Sequence, residues 1–368
     1  MPAPPNPAPP QSSPIASALI EWHAREGRHD LPWQHERTPY RVWVSEIMLQ
    51  QTQVATVTAY YQRFMRRFPD VATLAAAPID EVLHLWSGLG YYARARNLQR
   101  AAGVVCEEFG GELPHRFEDL ARLPGIGRST AGAILALSAG QRFAILDGNV
   151  RRVLARYFGV PGTAGGSAVT RRLWELSERC TPHTEVADYT QAVMDLGATV
   201  CVRRKPLCEY CPLSAGCFAR RTGRQHELPA PRAARVRPAR RVFMVVALHA
   251  DGSVLLERRP EHGVWGGLWC LPEFATATAA QAFIRQSLSA AEMAPQPLST
   301  LEHAFTHFSL IITPLLVRCA GAAAVVDEAR SLWYKLNEPA RIGLPAPISA
   351  LLARLGTETL FDAQLAAR

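Results

Sequence analysis

Four cysteines lie within 17 residues, in the segment CVRRKPLCEYCPLSAGC that starts at Cys201. The other three are Cys208, Cys211 and Cys217. In a reducing compartment, thiolates spaced this closely form a metal site more often than a pair of disulfides. Zinc ribbons usually carry two C-x-x-C pairs, and this segment has one. The spacing alone therefore leaves zinc and an iron–sulfur cluster open.

Two carboxylates stand in sequence surroundings that favour opposite protonation states. Glu46 falls within a helical pattern of apolar residues, with Trp43 and Leu49 three positions away, and such neighbours are expected to raise its pKa. Asp147 precedes a helix that is predicted to start at or just after Gly148, where free N–H groups favour an ionised carboxylate. A neutral acid beside a persistent carboxylate suits acid–base chemistry. A solvated helix face for Glu46 and a simple helix cap for Asp147 are the alternatives.

A glycine-containing turn between two helical patterns could bind a phosphate. The segment LARLPGIGRSTAGAILAL predicts a helix that ends near Leu123 and a second helix that starts around Arg128. Gly125 and Gly127 permit close approach and positive φ in the turn. The N-terminus of the second helix points unpaired N–H groups toward an anion. The pattern resembles the helix-hairpin-helix DNA-binding motif.

Length and composition predict two domains. The chain has 368 residues, more than one compact domain usually needs. Apolar residues recur at helical spacing in the first part, whereas two β-rich runs around the turn ADG and the run LIITPLLVRC predict strands later in the chain. The predicted divisions are a disordered leader (1–14), a helical domain (15–221, including the cysteine segment 201–217), a linker (222–240), a smaller α/β domain (241–350) and a C-terminal tail (351–368).

The charge of the chain favours a polyanionic partner such as nucleic acid. The formal net charge is +8 and the pI is about 9.3. No run of about 18 apolar residues predicts a membrane span, and the N-terminus lacks the pattern of a signal peptide. We therefore expect a cytoplasmic protein that is associated with the nucleoid through DNA and has no membrane partner.

Several motifs resemble the endonuclease III superfamily of base-excision DNA glycosylases: the hairpin, the segment LDGNV and the spacing of the four cysteines. The segments WVSEIMLQQTQV, GLGYYARARNL and AVMDLGATVC are similar to its adenine DNA glycosylase (MutY-type) branch. GVWGGLWCLPEF and HAFTHFSL resemble the Nudix-like C-terminal domain of that branch. The resemblance implies a mostly α glycosylase domain with an iron–sulfur loop, followed by a smaller α/β Nudix-like domain. It also implies a [4Fe–4S] cluster on the four cysteines and a monomer that binds double-stranded DNA.

The resemblance implies a role for each carboxylate. Glu46 would protonate N7 of adenine and then activate water, and Asp147 would stabilise the sugar cation or form a transient covalent adduct with it. Asn149 would orient Asp147 or contact the DNA. The expected sequence of events is base flipping, N7 protonation, cleavage of the C1′–N9 bond and addition of water.

Further residues match family positions in the pocket and on the DNA surface. The adenine pocket would contain Leu31, Trp33, Gln191 and Ser129. Contacts with DNA would come from Gln51, Leu89, Tyr91, Gly125, Gly127, Arg203, Arg204 and Lys205. Recognition of 8-oxoguanine opposite the adenine would come from Phe305, Thr306 and His307.

Three departures from related enzymes bear on the expected chemistry. Ser129 stands where the lyase branch has its lysine nucleophile, and no lysine precedes Lys205, so a monofunctional glycosylase acting on A:8-oxoguanine or A:G mispairs is expected. Thr306 stands where the family commonly has serine. No acidic residue occurs from Ala275 to Leu288, which predicts a recognition module and not a magnesium-dependent Nudix hydrolase.

Two other functions share some of these features. A pyrimidine-lesion glycosylase/lyase of the endonuclease III type would need an amine nucleophile, and it would not need the additional C-terminal domain. A non-enzymatic iron–sulfur DNA-binding or redox-sensing protein would share the cysteines and the hairpin but would have no need of Glu46 together with Asp147.

Overall fold

The structure is a computed structural model, and it describes residues 13–163, 165–230, 236–288, 294–319 and 330–366. Residue contacts divide the chain into two compact units. One comprises Met1–Ala76 with Asn97–Ala234, and the other comprises Ala77–Arg96 with Arg235–Arg368. No helix in the described residues is both long and apolar enough to cross a membrane.

Helices dominate the first unit. They are α1 (Pro14–Glu26), α2 (Pro39–Leu49), α3 (Val54–Arg67), α4 (Val71–Ala76), α6 (Ala93–Phe109), α7 (Phe117–Arg122), α8 (Arg128–Ala139), α9 (Gly148–Phe158), α10 (Ser167–Cys180), α11 (Val186–Asp195) and α12 (Phe218–Arg221). Helix α6 crosses the division between the units, and α5 (Ile79–Trp86) belongs to the second unit. Helical spacing of the apolar residues therefore predicted this part correctly.

Helices α2 and α8 form the centre of the first unit and pack against each other. Thr38 caps α2 by accepting a hydrogen bond from the Arg41 N–H, and Pro39 occupies the first turn, which favours a helix start there. Residues are buried on most sides of α2, and α8 is buried from Ala131 to Leu137. A polar side chain on α2 is consequently held within the interior of the unit.

A local widening of the helix follows α11. Leu196–Val200 forms a π-helix, a feature that frequently accompanies functional sites. Gly197 lies within it, and a Cβ at this position would lie 2.5 Å from Cβ of Asn149. The glycine is therefore required for the close approach of this turn to the start of α9.

A mixed sheet forms the second unit. Its strands are β1 (Ala239–His249), β2 (Ser253–Arg258), β3 (Trp269–Cys270), β4 (Glu273–Phe274), β5 (Gln296–Pro297), β6 (Leu301–Ala304), β7 (Ser309–Cys319) and β8 (Ser331–Lys335). The central pair, β1 and β7, is parallel, and the other pairs are antiparallel. Helix α13 (Ala277–Ser287) packs on a core that includes Val245, Leu255 and Ile284. The predicted hairpin around ADG and the strand at 310–319 are both confirmed.

The structure differs from the predicted divisions in three places. The contacts group residues 77–96 with the C-terminal unit, whereas the sequence placed them in the helical domain. In the range predicted as a linker, Leu228 is buried and the Ala230 N–H donates to Gly162 O, while residues 231–235 lie outside the described part. Helix α14 (Ala346–Ala366) crosses the predicted start of the tail, because Leu351 and Leu355 are buried. The predicted leader lies outside the described residues up to residue 12.

Candidate active site and cysteine pocket

One cavity of the first unit brings together residues from distant parts of the chain. The sequence-predicted residues that line it are Leu31, Trp33, Glu46, Gln51, Ser129, Asp147, Asn149 and Gln191. Trp33 is buried and makes an edge-to-face contact with Tyr61, with ring centroids 5.4 Å apart. The tryptophan therefore serves as a fixed wall of the cavity.

Glu46 reaches the cavity from the central helix α2. It is half-buried and has apolar neighbours on its own helix. Burial raises its pKa from an ordinary 4.5 to about 8, and the negative charge of Asp147 contributes in the same direction. The predicted direction of the pKa shift is confirmed, and the raised pKa favours the neutral form of Glu46 near neutral pH.

Asp147 caps α9, as predicted: its Oδ1 accepts a hydrogen bond of 2.8 Å from the Val150 N–H. Its pKa is nevertheless raised, because burial outweighs the backbone N–H groups of Val150 and Asn149 and the charges of Arg152 and Arg151, which all lower it. The sequence predicted the capping contact but not the burial.

The two carboxyl groups differ in what surrounds them. Asp147 accepts backbone hydrogen bonds and lies near two arginines, whereas the contributions to the pKa of Glu46 both favour its neutral form. Two neighbouring carboxyl groups resist simultaneous ionisation. Of the two carboxyl groups, Glu46 is therefore the one whose neutral form is favoured more strongly.

The amide of Gln191 is held in one orientation by Asp195. Gln191 is buried, and its Nε2 donates to Asp195 Oδ1 over 2.9 Å. Burial alone would raise the pKa of Asp195, but hydrogen bonds from His23 and Arg28 and the charge of Arg28 lower it. Because an ionised carboxylate only accepts hydrogen bonds, the Gln191 amide nitrogen must face Asp195. Its Oε1 is then the atom available to a ligand.

The amide of Gln34 has the opposite orientation, with its nitrogen as the atom available to a ligand in the same cavity. Its Oε1 accepts a hydrogen bond of 3.2 Å from the Leu31 N–H. Its Nε2 is buried and has no hydrogen-bond partner among the described residues. A buried amide donor without a partner is costly in an empty site and is satisfied by a bound acceptor.

The predicted hairpin is present between α7 and α8. Gly125 has a positive φ of 80°, and a Cβ there would lie 2.9 Å from Cβ of Asn97, so glycine is needed at this position. Gly127 has φ of −93°, and a Cβ there would meet nothing within 4 Å. Gly125 therefore uses the conformational freedom of glycine, whereas Gly127, which precedes the first residue of α8, has a backbone conformation open to other residues.

The four clustered cysteines, Cys201, Cys208, Cys211 and Cys217, line one small pocket. No group of three or more His, Cys, Asp or Glu side chains in the described residues is arranged to hold a single metal ion. Four thiols that line one pocket suit either zinc or an iron–sulfur cluster as ligands.

Two arginines of α9 hold the cysteine loop. Arg156 is buried, and its guanidinium donates to Val202 O over 2.8 Å and to Cys201 Sγ over 3.3 Å. Arg152 donates to Cys201 O over 2.7 Å and to Asn149 Oδ1 over 2.8 Å. The helix that starts at the catalytic candidate Asp147 is thereby tied to the loop that carries the first cysteine.

The cysteine loop presents its basic residues to solvent. Arg203, Arg204 and Lys205 are all exposed, and Lys205 has a positive φ of 51°. Charges in this position can contact phosphates. The predicted basic surface is thus accessible.

In the second unit, the predicted recognition residues form the turn between β6 and β7. The Phe305 N–H donates to Phe308 O over 2.8 Å, and the two rings stack with centroids 4.8 Å apart. Thr306 and His307 are exposed. The Thr306 Oγ1 lies 3.3 Å from the hydroxyl of Tyr91, so a residue of the 77–96 segment contacts the turn directly.

The 77–96 segment carries both Leu89 and Tyr91, whereas Gln51 belongs to the first unit. Leu89 is buried and Tyr91 is 49% exposed. Arg94 lies over the Tyr91 ring, 5.5 Å from its centroid, and donates to the carbonyls of Leu89 and Gly90. The tight turn that holds Tyr91 is therefore closed by a residue of its own segment.

Sequence reasoning did not select several residues that organise the cavity or hold the cysteine loop. They are Arg28, Gln34, Asp195, Arg152 and Arg156. Arginines one turn apart on α9 were visible in GNVRRVLAR, but their carbonyl partners lie far away in the chain.

The hairpin beside a two-carboxylate cavity and the arrangement of the cysteines define the class of the protein. Residues 44–179 match the family model described as HhH-GPD superfamily base excision DNA repair protein, and residues 243–354 match the NUDIX domain. A thermostable thymine-DNA glycosylase of known structure superposes with a TM-score of 0.51 at 30% identity, covering 56% of this chain and 95% of that chain.

The similarity to curated proteins is more specific. An adenine DNA glycosylase of Buchnera aphidicola (subspecies Acyrthosiphon pisum) is 36% identical over 92% of this chain and 96% of its own. The adenine DNA glycosylase of Rattus norvegicus is 36% identical over 86% of this chain and 73% of its own. The chain belongs to the adenine DNA glycosylase family.

Proposed function

We propose that this protein hydrolyses the N-glycosidic bond of adenine mispaired with 8-oxoguanine or guanine in double-stranded DNA, as the first step of base excision repair. The observation that carries the proposal is that Glu46, whose pKa is raised by burial to about 8, lines the same cavity as Asp147. A neutral acid protonates the leaving base, and a carboxylate stabilises the cation that develops on the sugar.

The proposed reaction starts when adenine leaves the base stack and enters the cavity. Glu46 donates its proton to N7, the C1′–N9 bond breaks, and Asp147 stabilises the resulting oxocarbenium ion. The Glu46 carboxylate then removes a proton from water as the water adds to C1′. Asn149 keeps the start of α9 in place, since its side chain is bonded to Arg152.

The two glutamines support adenine as the base. Adenine presents a donor at N6 and an acceptor at N1, whereas guanine presents an acceptor at O6 and a donor at N1. In a pose with Gln191 Oε1 facing position 6 of the base and Gln34 Nε2 facing position 1, the two amides complement adenine and oppose guanine. Unpaired polar groups would penalise the wrong purine.

The same cavity supports hydrolysis without strand cleavage. Ser129 lines it where the lyase branch has a lysine, and no lysine precedes Lys205 in the chain. Schiff-base chemistry needs an amine nucleophile. We therefore propose a monofunctional glycosylase.

We further propose that Cys201, Cys208, Cys211 and Cys217 hold a [4Fe–4S] cluster. Such a group supplies redox-active iron and a fixed fold for the loop that ligates it. In this chain, Arg156 and Arg152 bind the carbonyls next to Cys201, so the loop is held in the shape that exposes Arg203–Lys205 to DNA phosphates. All four thiolates would be ligands, which leaves the glycosidic chemistry to the carboxylate cavity.

The proposed reader of the base opposite adenine is the turn that contains Thr306. 8-Oxoguanine differs from guanine by an N7–H donor and an O8 acceptor. The Thr306 hydroxyl can donate and accept, and its contact with Tyr91 fixes its position. Phe305, stacked on Phe308, supports the turn, and the exposed His307 flanks it.

Replacing Thr306 by valine is expected to reduce the preference for A:8-oxoguanine over A:G by about tenfold, because one hydrogen bond to the oxidised purine is lost while the shape of the side chain is kept. Single-turnover excision rates on the two duplexes measure the ratio. This variant is sharper than deletion of the C-terminal residues, since deletion would also remove the packing partners of residues 77–96.

The matched control is Thr313→Val, which makes the same change within β7 at a position without a proposed role. It is expected to leave the ratio unchanged. An unaltered ratio in the Thr306 variant would contradict the proposal that this turn recognises the base opposite adenine.

A further inference from the structure

We propose that Ser129 is a positioning residue whose hydroxyl accepts a hydrogen bond from the peptide that leads into Asp147. The Leu146 N–H donates to Ser129 Oγ over 2.9 Å. Ser129 lies on the first turn of α8 and lines the same cavity as Asp147. The inference rests on the proposed function, in which Asp147 stabilises the sugar cation.

Side chains also bind the backbone carbonyls on either side of the Leu146 N–H. Ser177 Oγ donates to Ile145 O over 2.7 Å, and Arg151 Nε donates to Leu146 O over 3.2 Å. Helix α8 also approaches this segment closely, since a Cβ on Gly132 would lie 2.8 Å from Ala144 O. The Ser129 contact completes this set at the residue immediately before the carboxylate.

The position of Leu146 makes the contact consequential. Leu146 is buried, so its N–H cannot turn freely to bulk water if the hydroxyl is removed. A shift of the peptide to find another acceptor would move Asp147 with it. Displacements of this kind reduce rates strongly, because the carboxylate must lie at a set distance from the developing charge.

The chemistry of the side chain explains why a hydroxyl suits this position here. Serine offers an oxygen acceptor, whereas a lysine ammonium offers donors only. A lysine at position 129 could therefore not accept the Leu146 N–H. The serine is consequently more than the absence of a nucleophile: it provides a contact on which the geometry of Asp147 depends.

The test compares two side chains of equal shape, Ser129→Thr and Ser129→Val, which differ in the hydrogen-bond acceptor. The valine variant is expected to lower the single-turnover rate of adenine excision about tenfold, equivalent to about 1.4 kcal/mol of transition-state stabilisation. The threonine variant is expected to retain most of the rate. The dissociation constant for a duplex with an uncleavable adenine analogue should be unchanged in both.

A double variant with Asp147 distinguishes a positioning role of Ser129 from a general structural role. In an Asp147→Asn background, Ser129→Val should cause no further loss of rate, because the residue through which it acts is already absent. Ser138→Ala is the control: it removes a serine hydroxyl of the same helix, one that donates to Ile134 O within α8 itself. This control should leave the excision rate unchanged.

Three results would overturn the inference. They are equal rates for the threonine and valine variants, a full additional loss from valine in the Asp147→Asn background, and weakened DNA binding that accounts for the loss of rate. If the unaltered protein releases no adenine, the proposed function fails instead. Normal excision by the unaltered protein together with an unaffected Ser129→Val variant rejects the inference alone.

Discussion

Replacing Glu46 by glutamine is expected to slow adenine excision by about 10²- to 10⁴-fold, the range that positioned proton transfer contributes. Glutamine keeps the shape of the side chain and removes the proton that N7 would receive. The residue lies on the central helix α2 and lines the carboxylate cavity, and its burial raises its pKa to about 8. Single-turnover kinetics on a duplex with A opposite 8-oxoguanine measure the loss.

The pH dependence provides a second test of the same residue. Excision requires protonated Glu46, so the rate is expected to decline as the pH rises through about 8. The free energy of unfolding depends on the same protonation of Glu46. The folded state holds it up to about pH 8, whereas the unfolded state releases it near the ordinary value of 4.5. Stability therefore falls as the pH rises through this window.

Glu46→Gln removes the titrating carboxyl group, so a comparison of its stability with that of the unaltered protein tests the pH dependence. Its melting temperature relative to the unaltered protein should rise between pH 5 and pH 8, since the cost of the buried charge disappears. Its affinity for DNA should be retained. A folded, DNA-binding variant with near-normal excision would show that Glu46 is not the acid.

Replacing Asp147 by asparagine is expected to reduce excision by about 10²- to 10³-fold, the loss typical of removing one electrostatic stabiliser of a transition state. Asparagine is also a favourable helix cap, so the hydrogen bond to the Val150 N–H can be kept while the negative charge is lost. The measured change then reports the charge and not the start of α9.

The same variant makes a directional prediction for its neighbour. The charge of Asp147 contributes to the raised pKa of Glu46. Without it, the pKa of Glu46 falls and the alkaline decline of the excision rate moves to lower pH. A profile that stays at its original position would show that the charge of Asp147 does not raise the pKa of Glu46, and would contradict this prediction.

Local patterns in the sequence predicted the features that depend on neighbouring residues. The apolar surroundings of Glu46 predicted its raised pKa, and the start of α9 predicted the cap at Asp147. The turn at Gly125 and the β1–β2 hairpin were also correct, because turn chemistry is local.

Features that depend on distant contacts could not be predicted in this way. Arg28 and Asp195 are 167 positions apart, and nothing in either neighbourhood indicates that they bond. The burial that raises the pKa of Asp147 likewise arises from tertiary packing. The grouping of residues 77–96 with the C-terminal unit depends on contacts such as that between Asp80 and Arg258, 178 positions apart.

The most direct test of the central claim uses duplexes that carry adenine opposite 8-oxoguanine or thymine glycol opposite adenine, with the products examined before and after treatment with alkali. Hydrolysis of the glycosidic bond without lyase chemistry predicts release of adenine and a strand break at that position only after alkali. A break without alkali, or one at thymine glycol, would contradict it, and intact adenine in the A:8-oxoguanine duplex would reject the proposed function.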